Sequence, residues 1–172
     1  MKYLLGDAHE FYKKFIYNDE KQTLLKKHNL PVAGSVPSCD WELFGAILTG
    51  DVHKERYGSD LKNHEIKSSV YGASFEYQYH LHGGKKKILD DMKVNHVFFS
   101  YSPDYRNVEV RVMKGAALKK RFEAWVPGLE ANYEGPNRKQ RYRRSISFGI
   151  VKKEGKLIMK LEQGELVQID KL

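Results

Sequence analysis

Apolar side chains recur at helical spacing through the first fifty residues and at strand spacing in much of the remaining chain. Between Asp7 and His28, Phe11, Phe15 and Ile16 predict one helical face, and Asn18-Asp19-Glu20 opens a second helix running through Leu24 and Leu25. Lys26, Lys27 and His28 fill its last turn, where the helix dipole favours positive charge. Pro31, Gly34 and Pro37 mark a loop. A third helix opens at Ser38 or Asp40, carries Trp41, Phe44, Ile47 and Leu48 as one stripe, and stops at Gly50.

Asp51 to Gly58 is a polar connector, and from Ser59 to Ser69 short strands are expected. Ser74 to Leu81 alternates, with Phe75, Tyr77, Tyr79 and Leu81 on one side and Glu76, Gln78 and His80 on the other. After Gly83-Gly84, Lys85 to Lys93 reads as a helix with Ile88, Leu89 and Met92 inward. His96 to Tyr101 is a nearly continuous apolar run, the mark of a buried strand. Asn107 to Met113 alternates again, and Ala116 to Trp125 is helical. Pro127 to Gln140 reads as a polar loop, and the strands Ser145 to Val151 and Lys156 to Leu161 close the chain around a turn at Lys153-Glu154-Gly155. The order implies an α/β fold of the α+β type, a central mixed sheet flanked by helices.

The 172 residues suit one domain. Within it, 1–37 is N-terminal and helical, 38–113 is the core, and 114–172 carries basic residues and the C-terminal strands. A net charge of +8 favours a polyanionic partner, because each phosphate contact releases condensed counterions. One cysteine, Cys39, excludes an intramolecular disulfide or a cysteine-based zinc cluster, and it is expected to serve packing. The apolar run at Tyr3-Leu4-Leu5 is too short for a signal sequence, and no stretch approaches a membrane span, so a cytoplasmic location is expected.

Chemistry concentrates between Gly58 and Ser69. A tight hairpin turning at Lys62-Asn63 pairs Leu61 with His64 and sets Asp60 across from Glu65, with Lys67 two residues on and on the same face. Opposed carboxylates repel and weaken a ladder unless a cation lies between them, and two hard oxygen ligands plus water suit Mg²⁺. Lys67 beside them could hold or help deprotonate an attacking water. The same spacing also occurs on solvated hairpin faces that bind nothing.

Gly58-Ser59-Asp60 followed by Glu65-Ile66-Lys67-Ser68 resembles the signature of the PD-(D/E)xK nuclease superfamily, the restriction-endonuclease-like fold, over roughly Asp40 to Tyr101. The resemblance implies Asp60 and Glu65 as metal ligands, the Ile66 backbone carbonyl as a third, and Lys67 as the catalytic lysine. It also implies an additional acid before the motif, for which Glu42 and Glu55 are candidates. Ser59 stands in place of the name-giving proline. Only four residues separate Asp60 from Glu65, shorter than the pattern, so Asp51 and Glu55 remain alternatives for the first ligand.

Gln78, His80 and His82 offer donors and acceptors suited to base edges, and they resemble the DNA-contacting segment of small dimeric members. Lys85, Lys86 and Lys87, set against the dipole at a helix start, and the run Arg138, Lys139, Arg141, Arg143 and Arg144 are candidate phosphate contacts. The expectation is a Mg²⁺-dependent endonuclease, with Mn²⁺ as substitute, cutting double-stranded DNA as a homodimeric Type II restriction enzyme joined through its N-terminal helices. A junction or repair nuclease of the same fold and a non-catalytic nucleic-acid-binding module are the alternatives. A histidine-metal nuclease built on His96 lacks a second histidine in register.

Overall fold

The computed structural model describes residues 2–54, 58–134 and 138–168. Helix α1 (Leu5–Phe11) runs on as a π-helical stretch, Tyr12–Ile16, followed by α2 (Asp19–Lys27) and α3 (Ser38–Thr49). Then come β1 (His64–Val70), β2 (Phe75–His80), α4 (Gly84–Asp91), β3 (Asn95–Tyr101) and β4 (Val108–Lys114). The remainder is α5 (Gly115–Glu134), β5 (Arg141–Ile146), α6 (Phe148–Glu154), β6 (Lys156–Glu162) and the short β7 (Glu165–Leu166).

The chain folds as a mixed α/β protein. A five-stranded sheet has the order β1-β3-β4-β6-β7, and β2 and β5 form a separate two-stranded ribbon. Strand β1 lies parallel to β3, while β3–β4, β4–β6, β6–β7 and β2–β5 are antiparallel. Alternation along β3 sends Val97 and Phe99 to one core with Trp41, Phe44, Leu48 and Ile66, roofed by α1 and α3. It sends Phe98 to a second core with Phe75, Tyr77, Tyr79, Ile88 and Phe122. That second core lies between the main sheet and the layer formed by the ribbon, α4 and α5.

Gly45 lets α3 close on β1: a Cβ there would stand 2.4 Å from Cδ1 of Ile66, so only glycine permits this approach. Glu42, one turn earlier, is thereby carried to the end of β1. Gly50, at φ 67°, ends α3 in the left-handed conformation.

Several expectations need correction. Leu89 is 52% exposed, and Ile88 takes the inward position in α4. Phe15 is exposed, because the π-helical stretch rotates the face that regular spacing predicts, and in α2 Leu24 is exposed while Gln22 is buried. Cys39 is exposed and fills no core. Pro127 to Gln140 is not a loop from its start, since α5 carries on through Pro127 to Glu134 and buries Leu129. Ser145 to Val151 is not one strand: β5 ends at Ile146, and Ser147 caps α6 by accepting the Ile150 N–H. Among the described residues, no helix is long and apolar enough to cross a membrane.

Candidate active site

Strand β1 is an edge strand, and its period of two turns Ile66 into the α3 core and Glu65 and Lys67 toward the ribbon. The tight hairpin expected before it is not formed. Leu61 bridges His53, and Lys62 N–H donates to the Val52 carbonyl. Among the described residues, the one backbone-to-backbone bond from this segment to β1 runs from Leu61 N–H to the His64 carbonyl, 2.9 Å away. Asp60 and Glu65 are held together by a reciprocal pair of side-chain bonds instead. Asp60 N–H donates to Glu65 Oε2 at 3.1 Å, and Ile66 N–H donates to Asp60 Oδ2 at 2.9 Å. A strand residue presents its N–H and C=O to the same edge, so the Ile66 carbonyl also lies on the free edge of β1, beside Asp60.

Glu65 has no solvent exposure, and its Oε1 receives the ammonium groups of both Lys67 and Lys87, each at 2.6 Å. Burial pushes its carboxyl up, but the two lysines outweigh that and hold it near 2. Lys67, over the Tyr77 ring at 5.0 Å, is drawn down by burial and raised further by Glu65 and Asp60, so it stays charged. Asp60 is raised by burial and by the charge of Glu65. Glu42, half-buried on α3, is raised by burial and by Asp60. Glu65 is thus the one carboxylate of the three in direct contact with the two ammonium groups, while burial dominates at Asp60 and Glu42.

Behind this cluster Lys87 also contacts Asp91 Oδ1 at 3.2 Å, and Tyr79 donates to Asp91 Oδ2 at 3.0 Å. Burial, then the charge of Glu65, raises the Asp91 carboxyl to about 7. His96, fully buried on β3, bonds the Asp91 carbonyl through Nε2 at 2.7 Å and the Tyr77 hydroxyl through Nδ1 at 2.8 Å. Neutral imidazole satisfies both contacts, donating at Nε2 and accepting at Nδ1. Burial depresses its pKa to about 4. Because the folded value lies below the unfolded 6.5, its contribution is complete above pH 6.5 and fades as pH falls toward 4. That fall corresponds to roughly 3 kcal/mol. His96→Phe is therefore expected to be less stable at pH 7 but to lose the His96 share of the stability decline between pH 6.5 and 4, read by urea melts.

The candidate ligands separate clearly in space. Asp51 accepts from Val52 N–H, Asn63 N–H and His64 Nδ1, on the other side of the turn from Glu65. Glu55 lies outside the described residues. A groove of about 670 Å³ is lined by Glu42, Asp60, Lys86 and Lys87, and also by Gln78, His80 and His82 at the ribbon end. Lys85 pairs with Glu130 on α5 instead. In the ribbon Arg143 stands opposite Gln78 and Arg141 opposite His80, so these two share its polar face, and Arg141 donates to Gln78 at 3.1 Å. Arg144 alternates to the other face, stacking over Tyr142 and lining a second depression of about 540 Å³ with Lys139. Arg138 is exposed just before it.

Lys87 was expected with Lys85 and Lys86 as a phosphate contact, and its place beside Glu65 was not. Its signal was the Lys87–Asp91 pair, four apart on α4 and able to meet on one face.

The donor set fits a hard divalent cation with few protein ligands. Asp60, Glu65 and the Ile66 carbonyl offer oxygen only, and burial dominates at Asp60 and Glu42. Among the described residues, no three His, Cys, Asp or Glu side chains group closely enough to hold a metal by themselves. Mg²⁺, which keeps much of its water, needs only one or two carboxylates. Neither the comparison with family models nor that with curated proteins gives a match.

Proposed function

We propose that the chain is a metal-dependent endonuclease with a restriction-endonuclease-like core, hydrolysing phosphodiester bonds in double-stranded DNA. The observation that supports this most is the single groove that joins Glu42, Asp60 and Lys87 to Gln78, His80 and His82. An acidic centre able to hold a cation and a polar ribbon able to face base edges thus open onto the same space. A two-stranded ribbon has the dimensions to enter a major groove. Arg141 and Arg143 on its polar face would take flanking phosphates, and Lys86 another.

Asp60, Glu65 and the Ile66 carbonyl would hold Mg²⁺, or Mn²⁺ in its place. Bound there, the ion supplies charge stabilisation at the scissile phosphate and acidifies water. Lys67 keeps its proton and donates hydrogen bonds, orienting the attacking water and offsetting charge on the phosphoryl oxygens. Glu42, lining the same groove, would add a further carboxylate. Cutting both strands needs two copies, which supports a Type II homodimer. Exposed Phe15, Leu24 and Leu30 on the N-terminal segment supply apolar surface for that contact.

Plasmid DNA incubated with the protein tests this reading. Discrete fragments are expected with Mg²⁺, none with EDTA, and none with Lys67→Ala. Salt-dependent binding without cleavage, equal in wild type and Glu65→Ala, would instead identify a non-catalytic nucleic-acid-binding module.

A further inference from the structure

We propose that Lys87 is a displaceable counter-ion of the acidic centre, holding Glu65 until a divalent cation arrives and then resting on Asp91. This rests on the reading of Asp60 and Glu65 as cation ligands.

Lys67 and Lys87 both stand 2.6 Å from the same oxygen, Glu65 Oε1, while Oε2 takes the Asp60 N–H. Oε1 thus has both of its acceptor sites taken, and a cation can reach that oxygen only if one ammonium yields. The two lysines are not equivalent in what else they touch. Lys67 has Glu65 as its one salt-bridge partner among the described residues, and its Nζ lies over the Tyr77 ring. Lys87 already has a second carboxylate at 3.2 Å, Asp91 Oδ1, four residues along its own helix. That second seat is built in advance. Asp91 is fully buried, and Tyr79 fixes its other oxygen at 3.0 Å. The His96 ring holds the adjoining backbone through the Asp91 carbonyl at 2.7 Å. Lys87 also lines the groove, where an incoming cation and its water would meet it first.

The arrangement explains how a buried pair of acids can be tolerated before any metal binds. Without a cation, Lys87 neutralises Glu65 and costs nothing in ordering at the moment of binding. With one, its charge moves a short distance to Asp91 and is never left unpaired.

Ca²⁺ titrated calorimetrically into the DNA-free protein tests the idea through a double-mutant cycle. Lys87→Met is expected to tighten Ca²⁺ binding roughly tenfold, because the competing charge is gone. Asp91→Asn is expected to weaken it roughly tenfold, because Lys87 loses its alternative seat. In the Lys87→Met background, Asp91→Asn should then change affinity by less than about twofold. Lys87→Gln repeats the cycle should the methionine variant not fold. Weakening by Asp91→Asn of the same size in both backgrounds would show a simple field effect and overturn the proposal, as would unchanged affinity in Lys87→Met. Glu65→Ala separates the two levels of failure. If it abolishes Ca²⁺ binding while Lys87→Met does nothing, only the role of Lys87 is wrong. If it leaves Ca²⁺ binding intact, or wild type binds none, the reading of the centre falls as well.

Discussion

Glu65→Gln is expected to abolish DNA cleavage, lowering the single-turnover rate by at least about 10³-fold, and to destabilise the fold by roughly 3–5 kcal/mol. Both losses have one origin. The side chain is fully buried, and it is the shared partner of two ammonium groups. An amide in its place leaves Lys67 and Lys87 facing each other in a layer otherwise packed with Tyr77, Tyr79 and Phe98. The depression of its carboxyl from 4.5 to about 2 corresponds to about 3 kcal/mol, in line with that range. A carboxyl lowered on folding stabilises fully above its unfolded value, and that share fades as pH falls from 4.5 toward 2. Urea melts of Glu65→Gln should therefore show a loss at pH 7 that shrinks progressively below pH 4.5. A fully stable Glu65→Gln at pH 7 would mean that the two lysines have other counter-ions.

Lys67→Met separates chemistry from folding. Single-turnover cleavage is expected to fall by about 10²–10³-fold, the usual range for removing one donor aimed at developing charge. Stability should fall by only about 1 kcal/mol, because Glu65 keeps Lys87 and the methionine still covers Tyr77. Lys67 would meet only the scissile phosphate, while Gln78, His80, His82 and Lys86 line the groove that would take the duplex, so duplex binding in EDTA should stay within about twofold of wild type. Fluorescence anisotropy beside the rate measurement resolves the two effects. A parallel loss of binding and cleavage would make Lys67 a DNA contact and leave the chemistry to another group.

The pairing of Glu65 with Lys67 was legible because a strand has a side-chain period of two, which places both on one face whatever the neighbouring strand. The polar face of β2 was legible for the same reason. What that face is for depended on β5, more than sixty residues away, and no local pattern announces a non-local pairing. The acid before the motif was legible only as a residue. Its partnership with Glu65 arises from side-chain-to-backbone bonds, and the ladder geometry that spacing suggests does not form.

Pro127 was misleading because proline normally ends a helix by removing a donor and crowding the carbonyl four residues earlier. Here Leu118, Phe122 and Leu129 keep one face of α5 buried across it, and that tertiary gain outweighs the local cost. Ile146, Phe148 and Ile150 alternate as a strand would, yet the Ser147 side chain captures the Ile150 N–H and starts α6. The Lys85-Lys86-Lys87 run looked like one basic patch. Helical geometry instead divides it three ways, with Lys85 paired to Glu130, Lys86 on the groove and Lys87 turned inward to Glu65.

A crystal soaked in Mn²⁺ and measured at an anomalous wavelength examines the acidic centre itself. The expected map has a peak within about 2.0–2.4 Å of a carboxylate oxygen of Asp60, one of Glu65 and the Ile66 carbonyl, with the Lys87 ammonium moved onto Asp91. A map with no density there at saturating Mn²⁺, and with both lysines still seated on Glu65, would mean that these acids serve the fold and not a reaction.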